Sequence, residues 1–182
     1  MIAQKFIEVE HTISGFTGTN GEPADDKEFY ILKSMWVMMM SEFEGSVKDE
    51  VEIYIDKIKL KPINQIHICL LLKNFYGDSA EPLSIDNILG VYKRQTNEIT
   101  YKNFTKDRKP KNKSHSIENL FNSLGLFFTE DEKILLKIID GISSTRDAIA
   151  HGDRSISITK SELESSIGKL KEAFQMLTNK LI

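Results

Sequence analysis

Apolar residues recur every three or four positions along most of the chain, and strict alternation of apolar and polar residues is rare. This spacing predicts amphipathic α-helices, because residues i, i+3, i+4 and i+7 share one helix face. The longest such run begins at Asp25 or Asp26, either of which can cap a helix, and Lys61-Pro62 ends it after Leu60. Its predicted inner face consists of Phe29, Leu32, Trp36, Met39, Phe43, Val47, Val51, Tyr54 and Ile58.

Shorter helices are predicted on both sides of this long one. A brief amphipathic segment opens the chain, and a loop rich in turn-forming residues follows it from Gly15 to Pro23. A second helix is expected from about Ile63 to Phe75, and another from Ser116 to Leu124.

Two more helices are predicted near the end of the chain. The pair Thr129 and Glu132 fits a capping box that begins the first of them, and Gly152 is a natural stop for that helix. Ser161 and Glu164 fit a second capping box, which begins the last helix. The expected apolar positions are Ile134, Leu135, Ile138, Ile139, Ile142 and Ile149 in the first helix, and Leu163, Ile167, Leu170, Phe174, Leu177 and Leu181 in the second.

The stretch from 77 to 114 has a different composition, which predicts an irregular insertion. Gly, Pro, Asn and Asp interrupt its short apolar pieces, and basic residues outnumber acidic ones. The candidate RNA-binding residues in it are Lys106, Arg108, Lys109 and Lys111, with Tyr92, Tyr101 and Phe104 interleaved. Such a run either binds phosphates or is a solvated loop.

Length and charge narrow the class of protein. The 182 residues suit a single domain, so we expect one all-α domain over 1–182. A net charge of -3 argues against a uniformly basic surface that coats nucleic acid. Cys69 is the single cysteine, which fits a reducing, cytoplasmic location and excludes a multi-cysteine metal site. No secretory signal is recognisable, and no apolar run is long enough to cross a membrane.

The most informative segment is Ser144-Thr145-Arg146-Asp147-Ala148-Ile149-Ala150-His151-Gly152-Asp153. On a helix, Arg146 falls within about 60° of Ile142 and Ile139, on the expected buried face. A buried guanidinium is costly unless a carboxylate, a carbonyl cluster or an anionic ligand accepts its hydrogen bonds. His151 lies about 140° further round an ideal helix. Arg146 and His151 of one chain therefore reach a common target only if the helix ends near Gly152, and a symmetric second copy is the other route.

Arginine and histidine without a carboxylate cluster suit the cleavage of RNA without a metal. Histidine changes its charge near neutral pH, so it can take a proton from a ribose 2'-hydroxyl or give one to the leaving 5'-oxygen. Arginine can form paired hydrogen bonds to the phosphate oxygens as negative charge develops. Such a site would leave a 2',3'-cyclic phosphate and would not cut DNA, which lacks the 2'-hydroxyl.

At these residues the sequence resembles the HEPN superfamily, whose ribonucleases carry an arginine, a polar residue and, a few positions later, a histidine near the end of a helical bundle. Arg146, Asp147 and His151 match that pattern. The resemblance extends over 26–182 and is closest to prokaryotic HEPN toxins and defence nucleases. In those, an Asn-Leu...Leu-Gly-Leu segment precedes the motif, and Glu118-Asn119-Leu120-Phe121-Asn122-Ser123-Leu124-Gly125-Leu126 stands in that place here.

The resemblance implies an up-down helical bundle and a homodimer with a composite active site. Arg146 would stabilise the phosphate, His151 would act as acid or base, and Asp147 would position them. Family members often add an acidic residue from the long first helix, for which Glu44 is the candidate. The substrate would be RNA and a protein antitoxin a possible partner. We expect no cofactor, and no metal site because no histidine pair has the spacing of metal ligands.

Two alternatives to the ribonuclease remain open from the sequence. A non-catalytic HEPN-like dimer could bind RNA, a nucleotide or a partner protein through the same cleft or the basic insertion. Alternatively, the chain could be a purely structural helical dimer in which a carboxylate of the same chain binds Arg146 and His151 caps the helix. His67, within an apolar run, fits an interior histidine better than a catalytic one.

Overall fold

The computed structural model describes residues 2–16, 18, 21–60, 100–104 and 113–182, and all regular structure within these ranges is helical. The helices are α1 (Ile2–Ser14), α2 (Asp26–Leu60), α3 (Tyr101–Phe104), α4 (Ser114–Ser123), α5 (Glu130–Ala150) and α6 (Lys160–Lys180). The prediction of an all-α helical bundle is thus confirmed for this part of the chain. The predicted helix over 63–75 lies outside the described residues, as do His67 and Cys69.

The 35-residue helix α2 contacts four other helices, α1, α3, α5 and α6. It begins where the sequence predicts, because Asp25 Oδ1 accepts a hydrogen bond from the backbone N–H of Glu28 at 2.8 Å. Its predicted inner face is buried from Leu32 to Ile58, whereas Phe29 in the first turn is only half-buried. The burial of this apolar face is what holds α2 among its neighbours.

Helix α5 begins at the predicted capping box. The Thr129 side chain accepts from the Glu132 backbone N–H, and Glu132 Oε2 accepts from the Thr129 backbone N–H at 2.7 Å. The predicted box at the start of α6 is wrong, because Ser161 and Glu164 already lie inside that helix. The box is formed two residues earlier by Thr159 and Glu162, whose backbone N–H groups and side chains bond reciprocally.

Two residues predicted on the buried face of α5 are exposed instead. Ile134 is 61% exposed and Ile138 is 38% exposed, whereas Ile139 and Ser143 are buried. On a helix, Ile134 and Ile138 are rotated by about 140° and 100° from Ile139, so a core centred on Ile139 leaves them outside. The six apolar residues predicted for α6 are all buried, as expected.

Helix α4 begins at Ser114, two residues before the predicted start, because a residue of another helix caps it. Lys113 at the cap position makes no side-chain hydrogen bond to the helix. Asp140 of α5 takes this role, accepting from the Ser114 backbone N–H and hydroxyl at 2.6 Å each.

Tyr101 lies on α3, within the predicted irregular insertion. It is buried, and α3 contacts α2, so the Tyr101 ring is not exposed among the basic residues of the insertion.

One core cluster joins residues from α1 to α6, and it contains most of the predicted apolar positions. The long helix lies at its centre, with α5 and α6 packed on α2 and on each other. Within the described ranges, no helix combines the length and the apolar character that a membrane span requires.

Candidate functional site

The contact between α2 and α5 places Arg146. Nε1 of Trp36, on α2, donates a hydrogen bond to the Ile142 carbonyl at 3.0 Å, and this bond is buried. Ile142 lies one helical turn before Arg146, so the same face of α5 carries the guanidinium toward α2. This agrees with the expectation that Arg146 points inward and needs an acceptor.

The acceptors are two carboxylates of the same chain. Arg146 Nη2 is 2.7 Å from Glu44 Oε1, and Arg146 Nη1 is 2.9 Å from Asp147 Oδ1. The Arg146 side chain is 23% exposed. Its Nε is buried and has no hydrogen-bond partner among the described residues. The guanidinium is therefore held by its outer nitrogens, while part of it still meets solvent.

The charges in this trio do not favour an anion by themselves. One positive charge on Arg146 and two negative charges on Glu44 and Asp147 leave a net charge of -1. A phosphate would have to share Arg146 with these carboxylates, and further positive charge would help to hold it. Such charge can come from elsewhere in this chain or from a second copy.

Helix α5 ends directly after the trio, in a turn that carries His151. His151 is the C-cap residue, and Gly152 follows with a φ of 79°. The Gly152 N–H donates to the Ile149 carbonyl and the Asp153 N–H donates to the Ala148 carbonyl, both at 3.0 Å, which is the Schellman arrangement. The helix thus ends near Gly152, which is the condition for Arg146 and His151 of one chain to reach a common target. His151 is exposed at this end.

The residues after His151 are held by two further contacts. Asp153 Oδ1 accepts from the Ser155 backbone N–H at 2.8 Å and from its hydroxyl at 2.7 Å. The hydrogen bond from the Ser155 side chain, then that from its backbone, lowers the pKa of Asp153, and the Lys33 charge adds to this effect. Lys33, in the second turn of α2, donates from Nζ to the Asp153 carbonyl at 3.2 Å.

The predicted site residues fall into three groups. Arg146, Asp147 and Glu44 meet through hydrogen bonds, whereas His151 lies at the end of the same helix and makes no described bond to Arg146. Lys106, Arg108, Lys109 and Lys111 lie outside the described residues. Lys33 was not predicted, although a cation among the apolar positions Phe29, Leu32 and Trp36 is a signal that the sequence does contain.

Metal binding has no candidate in the part of the chain that the structure describes. No group of three or more His, Cys, Asp and Glu side chains lies close enough together there to hold an ion. The arrangement offers hydrogen-bond donors, charge and an exposed imidazole.

Comparison with known proteins gives the family. No curated protein and no solved structure matches the chain significantly. A family model described as RiboL-PSP-HEPN matches residues 2–182, nearly the whole chain, and it agrees with the resemblance carried by Arg146, Asp147 and His151. The chain belongs to the RiboL-PSP-HEPN family of HEPN domains.

Proposed function

We propose that the protein is a metal-independent endoribonuclease in which the 2'-hydroxyl of the RNA is the nucleophile. Membership in a HEPN family supports a nuclease or RNA-related function. The observation that carries the specific proposal is the placement of Arg146 and His151: a partly exposed guanidinium held by two carboxylates, and an exposed imidazole where the same helix ends.

In the proposed reaction the ribose 2'-oxygen attacks phosphorus and the bond to the 5'-oxygen breaks. His151 takes the proton of the 2'-hydroxyl or gives one to the leaving 5'-oxygen, and a second histidine or water does the other transfer. Arg146 binds the phosphate oxygens as their charge grows. Asp147 and Glu44 position the guanidinium, each through one of its outer nitrogens. The products are a 2',3'-cyclic phosphate and a 5'-hydroxyl.

The active unit is proposed to be a two-fold homodimer. Ile134 and Ile138 present an exposed apolar strip on α5, and the exposed Gly141 continues it toward Arg146. A second copy packed on this strip would bring two Arg146 and two His151 side chains to one cleft. Ile138→Asp should therefore give a monomer in sedimentation experiments and lose cleavage.

The decisive experiment is cleavage of single-stranded RNA with analysis of the product ends. We expect cyclic phosphate ends in the presence of a chelator, and loss of cleavage in Arg146→Ala and in His151→Ala. His11→Ala is the matched control, because it removes another exposed histidine, on α1. Full cleavage by either site variant would disprove the proposed roles.

The ion pairs of Arg146 also favour an alternative, in which the site is structural or only binds. Glu44 and Asp147 belong to the same chain, as a structural arginine would require. In that case Arg146→Ala would destabilise the protein, while the wild type would bind RNA, a nucleotide or a protein without turnover. Binding that depends on Lys106, Arg108, Lys109 and Lys111 and falls steeply with salt would support this alternative.

The proposed biological role is that of a toxin neutralised by an antitoxin, or of a phage-defence nuclease. It rests on the resemblance of the motif and of 118–126 to such nucleases. Expression of the wild type in a bacterial host should arrest growth, and His151→Ala should relieve the arrest. Equal growth with both proteins would contradict the toxic role.

A further inference from the structure

An aromatic and basic surface lies beside the His151 turn, on the first two turns of α2. Lys33 Nζ is 4.4 Å from the ring centroid of Phe29 and 3.2 Å from the Asp153 carbonyl oxygen. The rings of Phe29 and Tyr30 meet edge to face, with centroids 5.6 Å apart and planes at 72°. Tyr30 is nevertheless 67% exposed. The Phe29 ring and the Asp153 carbonyl thus hold Lys33, while the Tyr30 ring remains open to solvent.

This combination has the chemistry to bind a nucleotide. An exposed ring offers a stacking surface for a base, and a lysine ammonium offers a point charge and hydrogen-bond donors for a phosphate. Lys33 and Tyr30 are three positions apart on α2, so they lie on neighbouring parts of one helix face. One subsite can therefore hold a base and the phosphate next to it.

The location connects this surface to the candidate site. Lys33 bonds the carbonyl of Asp153, two residues after His151, so a strand of RNA that meets His151 passes next to α2. The trio of Arg146, Glu44 and Asp147 has a net charge of -1. Lys33 adds a positive charge near the same end of α5. The Asp153 carboxylate offsets part of that charge, which makes the stacking on Tyr30 the more important contribution.

We propose that Tyr30 and Lys33 form a nucleotide subsite for single-stranded RNA, in which a base stacks on Tyr30 and the adjacent phosphate contacts Lys33. This proposal rests on the proposed ribonuclease function and names a substrate contact of the same site. Tyr30 and Lys33 are binding residues here and take no part in the proton transfers.

The test measures binding of ten-nucleotide oligoadenylate to the full chain carrying His151→Ala, which prevents turnover during the measurement. Tyr30→Ala should weaken binding about 5- to 150-fold, the range for the loss of one stacked base, and Tyr30→Phe should bind like its parent. The matched control is Phe127→Ala, because Phe127 is 72% exposed and lies just before the start of α5, at the helix end opposite His151. An abasic residue scanned through the oligonucleotide should cancel the effect of Tyr30→Ala at one position.

The charge contribution of Lys33 has its own readout. Lys33→Met should reduce the slope of log affinity against log salt by about 0.7, the value for one phosphate contact on a single strand. Lys27→Met, on the same two turns but another face of α2, should leave the slope unchanged. A purely structural role of Lys33 would lower the affinity without changing the slope and would overturn its part of the proposal.

The two proposals fail in distinguishable ways. RNA that is cut normally by Tyr30→Ala, with binding unchanged and no dependence on an abasic position, would overturn the subsite and leave the ribonuclease intact. A change of oligomeric state in Tyr30→Ala without any base dependence would assign Tyr30 to a protein interface and also overturn it. A wild type that neither cuts nor binds RNA would refute the proposed function and the subsite together.

Discussion

Nη2 of Arg146 lies 2.7 Å from Oε1 of Glu44, although 102 positions separate the two residues in the chain. The contact connects the middle of the long helix α2 to the last turns of α5, and Asp147 completes it from the neighbouring position. Any change at one of these three side chains therefore alters the net charge of the trio and the contacts that orient Arg146.

The first prediction concerns Glu44 as a positioning residue. Glu44→Ala leaves Arg146 with Asp147 alone, so we expect cleavage with roughly tenfold lower kcat and a loss of about 1 kcal/mol in the free energy of unfolding. Glu44→Gln removes the same negative charge as Glu44→Ala but keeps an acceptor for Nη2, so its kcat should decrease less than that of Glu44→Ala. Steady-state kinetics and urea unfolding measure both quantities.

A control for this prediction is Glu172→Ala, which breaks an exposed ion pair with Lys169 at 3.2 Å. Its unfolding free energy should change by less than about 0.5 kcal/mol and its kcat should not change. If Glu44→Ala behaved like Glu172→Ala, Glu44 would have no part in the site.

The second prediction concerns the turn that carries His151. Gly152 has a φ of 79°, and an added Cβ would meet no atom within 4 Å, so the cost of a side chain there is conformational. Gly152→Ala should lower the free energy of unfolding by about 1–2 kcal/mol, and Gly152→Asn by less, because asparagine tolerates this conformation. Cleavage should decrease more in Gly152→Ala than in Gly152→Asn, because the larger conformational cost disturbs the turn that carries His151 more.

Gly168→Ala is the control, and we expect it to change stability in the opposite direction. Gly168 lies within α6, and an added Cβ there also meets no atom within 4 Å. Alanine in a helix interior should raise stability by about 0.5–1 kcal/mol. Equal effects of the two alanine substitutions, measured by thermal or urea unfolding, would contradict the role assigned to the Gly152 conformation.

The third prediction concerns the cap of α4. Asp140 accepts two hydrogen bonds of 2.6 Å from Ser114 at the start of a helix whose own cap residue contributes none. Asp140→Ala should lower the free energy of unfolding by about 1–2 kcal/mol, and Asp140→Asn should lose less because it keeps an acceptor. An unchanged urea midpoint in Asp140→Ala would show that α4 does not depend on this cap.

The fourth prediction concerns stability at alkaline pH. Burial, followed by the charge of Glu52, raises the pKa of Tyr101 to about 12. A phenol whose pKa is higher in the folded than in the unfolded state adds stability below the unfolded value, near 10, and this stability is lost as the pH rises through the folded value. The wild type should therefore lose more stability than Tyr101→Phe between pH 10 and about pH 12, as measured by urea unfolding.

A spectroscopic control accompanies this prediction. The chain has five tyrosines, and the ultraviolet absorbance of tyrosinate counts those that have ionised. One fewer group should ionise near pH 12 in Tyr101→Phe than in the wild type. A difference between the two titration curves that appears near pH 10 instead of near pH 12 would contradict the burial of Tyr101.

The helices could be predicted because their apolar spacing is a local property of the chain. The inner face of α2 from Leu32 to Ile58 and all six apolar positions of α6 follow from spacing alone. The exposure of Ile134 and Ile138 could not be predicted in this way, because a wide apolar band does not indicate which part of it meets the core. The start of α6 was missed because Thr159 with Glu162 and Ser161 with Glu164 have the same spacing, and only packing selects between them.

The candidate site was predictable only in part. The inward direction of Arg146 followed from helix periodicity, and Glu44 followed from the resemblance to HEPN nucleases. The contact of Lys33 with Asp153 spans 120 positions, so no local pattern predicts it. The cap supplied by Asp140 to Ser114 is likewise a tertiary contact, which the spacing of residues within α4 cannot reveal.

The buried hydrogen bond of Trp36 has a practical consequence. Trp36 is the single tryptophan of the chain, and its indole bonds the Ile142 carbonyl one turn before Arg146. Indole emission responds to the polarity and hydrogen bonding around the ring, so the intrinsic fluorescence of this protein monitors the junction directly beneath the guanidinium. Ligand titrations and stopped-flow mixing can follow events at this junction without any attached dye.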